Sequence, residues 1–75
     1  MNKSAPPFVT KNLASIYSAS RKLGCSYLDI QLATGIPAFD IGAIIFEFNS
    51  PSKPKLPDKD TYNKLAAFFD WEVWK

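Results

Sequence analysis

Ser26-Tyr27-Leu28-Asp29-Ile30-Gln31-Leu32-Ala33-Thr34-Gly35-Ile36-Pro37-Ala38-Phe39-Asp40-Ile41-Gly42-Ala43-Ile44-Ile45-Phe46-Glu47-Phe48 decides the fold. Ser26 is a good helix N-cap, and Asp29 three residues later makes an arrangement like a capping box. Gly35-Ile36-Pro37 ends that helix, because glycine enters the left-handed region freely and proline restricts the residue before it. Pro37 then suits the start of the next helix. The spacing predicts one helix over about 27–34 and another over about 38–48, with Ile41, Ile44, Ile45 and Phe48 inward. Ile44-Ile45-Phe46-Glu47-Phe48 also suits a strand by composition. Its place after a short glycine-containing turn favours a helix.

Working outward, Leu13, Ile16, Tyr17, Ser20 and Leu23 follow helical spacing, with Thr10 as a possible cap and Gly24 as a left-handed terminator. They predict a helix over about 11–23. Pro6-Pro7 predicts an extended arm over residues 1–8. On the other side, 49–57 carries three prolines and two lysines and reads as a loop. Asp58 or Asp60 caps a last helix, with Tyr62, Leu65, Ala66, Phe68 and Phe69 as its apolar face. Trp71, Val73 and Trp74 are expected to pack back on the bundle. The expected fold is all-α, a compact four- to five-helix bundle containing a helix-turn-helix, with residues 1–75 as a single domain.

Composition narrows the chemistry. The chain has 75 residues, no His and one Cys. A His-based triad, a His zinc site and an intramolecular disulfide are excluded. Asp58 and Asp60 read as helix caps rather than an acid–base pair, and the glycines are too isolated for a phosphate-binding loop. No enzyme activity, metal or cofactor is expected. Cys25 suits a reducing compartment, Ile41 to Phe46 is too short to span a membrane, and Met1 to Pro7 lacks the apolar region of a signal peptide. A cytoplasmic location is therefore expected. Net charge is +2, split unevenly: residues 1–22 hold four basic side chains and no acid, 23–52 hold three acids and no base, and 53–75 hold five lysines against four acids.

From Arg21 to Trp71 the chain resembles the Cro/repressor-like (lambda-repressor-like) helix-turn-helix family. Gly35 falls at that family's turn glycine, Ile30, Ile36, Ile41 and Ile44 at its buried positions, and Asn63 to Trp71 looks like its last helix. The resemblance implies a small DNA-binding transcriptional regulator, repressor-like and dimeric, of phage- or plasmid-type size. Three positions depart from the pattern: Tyr27 stands where the family has a phosphate-contacting Gln, Gln31 where it has Ala, and Thr34 where it has an apolar residue. The family's reading positions are Pro37, Ala38, Phe39, Gly42, Ala43 and Phe46 here. None is a side chain that pairs with a base edge.

Two functions follow as expectations. Double-stranded DNA would be held by phosphate contacts from Arg21, Lys22, Lys53 and Lys55, aided by Lys59. Ser26 and Tyr27 at the second helix would add to them, and Ala38, Phe39 and Ala43 would make apolar base contacts. Five cationic contacts give a salt slope of about −4.5. Alternatively, the degenerate helix-turn-helix is a protein-interaction module, with Phe39, Phe46 and Trp74 meeting a partner or a second copy. One helix rarely buries Phe39, Ile41, Ile44, Ile45, Phe46 and Phe48 together.

Overall fold

The computed structural model describes residues 5–50 and 54–75. Among them are five helices: α1 Pro7–Ala14, α2 Ile16–Leu23, α3 Tyr27–Thr34, α4 Ala38–Phe48 and α5 Lys59–Phe69. Residues 44–48 are helical, so the strand alternative falls away. The all-α bundle with its helix-turn-helix is as expected.

The N-terminal region differs from its sequence reading. Pro7 and Phe8 belong to α1, which takes Pro7 as its first residue, while residues 1–4 of the expected arm lie outside the described residues. Thr10 is inside α1 and caps nothing. The expected single helix over 11–23 is broken at Ser15, whose hydroxyl and N–H both donate to the Asn12 carbonyl, at 2.8 and 3.1 Å. Serine's ability to bond to its own helix backbone bends helices in this way. The apolar spacing passes through the bend without interruption, so periodicity alone does not reveal it. Leu13, Ile16 and Ser20 point inward as expected, but Tyr17 and Leu23 are exposed. Tyr17 turns instead to Arg21, one turn along, whose guanidinium lies 5.7 Å from the ring centre.

Helix ends are specified residue by residue. Gly24 (φ 72°) closes α2, and Cys25 N–H donates to the Ser20 carbonyl at 3.0 Å. Ser26 and Asp29 form a complete capping box at the start of α3. Asp58, not Asp60, caps α5 and accepts from Thr61 N–H at 3.1 Å.

The core holds Val9 and Leu13 of α1, Ile16 of α2, Ile30 of α3, Ile41, Ile44 and Ile45 of α4, and Tyr62, Leu65 and Ala66 of α5, with Ile36 in the turn. Helix α4 packs on both α1 and α3, and α5 closes over α3. The C-terminal tail folds back along α5. Asn63 both donates to the Trp74 carbonyl and accepts from Trp74 N–H, at 2.9 and 2.8 Å. Trp71 stacks on Tyr62 and Phe69, and Trp74 meets the edge of Tyr62. Val73 stays exposed rather than packing as expected. Tyr62 is fully buried, yet its hydroxyl is satisfied on both sides: it accepts from the Asn12 side chain at 3.0 Å and donates to the Glu72 carbonyl at 2.9 Å. One residue thereby joins α1, α5 and the tail.

Candidate functional site

The site is the outer face of α4, held by the turn that precedes it. Helices α3 and α4 meet at 117°, within the roughly 90–120° of DNA-binding helix-turn-helix units. Gly35 makes the turn at φ 81°, and its N–H donates to the Gln31 carbonyl at 2.8 Å. Both polar departures from the family pattern act here. The Thr34 hydroxyl donates to the Ile30 carbonyl at 2.7 Å and accepts from Ile36 N–H at 3.1 Å. The Gln31 side-chain oxygen accepts from Ala38 N–H at 2.7 Å, which satisfies a free donor at the start of α4. The third departure, Tyr27, lays its ring beside Gly42: a Cβ at Gly42 would stand 3.6 Å from it.

These bonds fix which side of α4 faces outward. At about 100° per residue, Phe39, Gly42, Ala43 and Phe46 form one stripe, with Ile41, Ile44, Ile45 and Phe48 opposite. The inner four are buried or packed on the core. The outer stripe is open: Phe39 is 84% exposed and Phe46 73%, and Ala43 is also exposed. Tyr27 borders the stripe at Gly42. On the other border are Asp40 and Glu47, which line a groove of about 380 Å³ between α4 and the segment 55–58. Ile44, Leu56 and Pro57 give the groove apolar walls, and Asp58 adds a third carboxylate against Lys55. Glu47 also ties the far wall in place, since its carboxylate accepts from Lys55 N–H at 2.9 Å. The Thr61 side chain, together with its backbone N–H that donates to Asp58 at 3.1 Å, holds that carboxyl below the usual range.

The expected site residues divide into separate groups. Tyr27, Ala38, Phe39, Ala43, Phe46 and Lys55 all lie on or beside the outer face of α4. Arg21 and Lys22 are exposed at the end of α2. Arg21 donates to the Tyr17 hydroxyl at 3.2 Å, and this bond raises its pKa further. Ser26 has its N–H and hydroxyl committed to Asp29. Lys53 lies outside the described residues. Trp74 is partly buried in the tail cluster, with Lys59 5.6 Å from its ring centre. The sequence reading missed the acidic groove, because nothing in spacing alone brings residue 55 to residue 47. It also missed that Leu28 and Leu32 are exposed, at 56% and 77%. Those two lie one turn apart, nearly opposite Ile30, so a short helix that buries Ile30 leaves them out.

Compared with known proteins, the chain matches no protein-family model, and no curated protein or solved structure resembles it at a significant level.

Proposed function

We propose that the chain is a protein-interaction module that binds its partner through the apolar outer face of α4, on a helix-turn-helix that has lost its DNA-reading surface. The observation that carries this reading is the exposure of Phe39 and Phe46 on one stripe. Covering a large apolar side chain contributes about 1.5–3 kcal/mol, so two aromatics in one stripe suit a buried anchor. The charges agree. Asp29 sits at the N-terminus of α3 and Asp40 in the first turn of α4. The helix end expected at phosphate and the helix expected at the bases each carry a carboxylate in the first turn, which repels the DNA backbone.

The test starts from a peptide library selected on the native chain. Selected ligands should bind the Phe39→Ser/Phe46→Ser variant at least about tenfold more weakly, with its helical circular dichroism intact. Equal affinity for both proteins would refute the reading. A second reading, a DNA-binding regulator, is favoured by the 117° crossing and the left-handed turn. It requires duplex DNA binding tighter than about micromolar, the limit of ordinary non-specific contact. That binding would weaken with salt and in Arg21→Ala/Lys22→Ala.

A further inference from the structure

The geometry points to a cationic amphipathic helix as the occupant of the α4 face, its apolar side on Phe39 and Phe46 and its basic side along the Asp40–Glu47 groove. This inference rests on the interaction reading above and adds the chemistry of the partner. The stripe is narrow and runs along a single helix, the footprint for another helix's apolar side. Its border is one-sided in charge. Asp40, Glu47 and Asp58 line the groove against one lysine among the described residues. Asp40 and Asp58 are exposed and Glu47 is half-buried, so their pull on a cation is sensitive to salt. A partner that covers the stripe must bring its flank into this groove. A basic flank is drawn in, while an acidic one is repelled.

The same charges argue against a second copy in a two-fold contact. Such a contact is self-complementary, so each copy's α4 would meet the other's. Asp40 and Glu47 of both copies would then crowd one interface with no base on α4 to offset them. A membrane surface fits no better, because anionic headgroups face the same repulsion.

The test uses three synthetic amphipathic helical peptides of one length and one leucine pattern, differing only in having lysine, glutamate or glutamine on the polar face. Fluorescence polarisation against the native chain should show saturable binding of the lysine peptide, at least about tenfold tighter than the other two and weakened by added salt. Asp40→Lys should reduce that preference, and Asp40→Lys combined with Glu47→Gln should abolish it. Asp40 is exposed and carries no side-chain bond, so the single variant keeps the fold even if loss of the Glu47–Lys55 bond loosens the loop in the double variant. Equal binding of all three peptides, or a lysine preference unchanged in Asp40→Lys, would overturn the cationic assignment and leave the apolar-face reading intact. Lysine-peptide binding undiminished in Phe39→Ser/Phe46→Ser would instead contradict that reading. Sedimentation that shows a native dimer, lost in the same variant, would replace the cationic helix with a second copy.

Discussion

Single residues set the turn and the outer face, and two glycines show how differently. Gly35 stands at φ 81° with open space where a Cβ would go, so Gly35→Ala meets only backbone strain. A left-handed non-glycine residue is unfavourable by about 1–2 kcal/mol, and thermal unfolding should show a loss of that order. Gly42 is an ordinary helical residue whose added Cβ would make normal contact with Tyr27 at 3.6 Å. Alanine is the better helix former by about 1 kcal/mol, so Gly42→Ala should raise the melting temperature. If it lowers stability, the Tyr27 ring is less able to accept a neighbour than its spacing implies. Tyr62 is the third decisive residue. Tyr62→Phe leaves the Asn12 amide and the Glu72 carbonyl without their shared partner. Both groups are only partly buried and can turn to water, so denaturant unfolding should register about 0.5–1.5 kcal/mol for each hydrogen bond lost.

At the scale of elements, α4 is the hub, packed on α1 and α3 while its other side faces outward. Ile41 is fully buried at its centre. Ile41→Ala should remove about 2–5 kcal/mol, enough to unfold much of a domain this small. The helices of the helix-turn-helix were legible because their signals are local: Ser26 with Asp29, Gly35, Pro37 and the isoleucine spacing. The Ser15 bend was not, since a serine bonding to its own backbone leaves the apolar period unchanged. Nor were the roles of Gln31 and Thr34. The sequence showed them only as departures from a family pattern, with no role attached, whereas their side chains close the turn. Of the site, the open Phe39–Phe46 stripe was legible from an excess of apolar residues around one helix. The acidic groove was not, because it depends on a loop returning to α4 through the Glu47–Lys55 bond. Helix α5 gives the pH prediction. Thr61 lowers the Asp58 pKa from its ordinary 3.8, so the cap stabilises the fold fully above that value and is lost as pH falls through the lower folded value. Asp58→Asn keeps a capping oxygen without the charge. Its stability should therefore fall less steeply than that of the native chain below about pH 4. Parallel acid-unfolding curves would show that Thr61 does not favour the charged form.

For the whole molecule, charge and exposure are arranged in opposition. Lys11, Arg21 and Lys22 lie on α1 and α2, whereas Asp29, Asp40 and Glu47 lie on α3 and α4. The modest net charge of +2 hides this separation. The two most exposed aromatics, Phe39 and Phe46, belong to the acidic α4, and under the proposed reading that pairing favours a protein partner over phosphate. Amide chemical-shift mapping of the native chain, titrated with the tightest library-selected peptide, tests this most directly. Shifts should concentrate in Ala38 to Glu47 and in Lys55 to Asp58, with α1 and α2 unmoved. Shifts centred on Arg21, Lys22 and Ser26, with α4 silent, would contradict it.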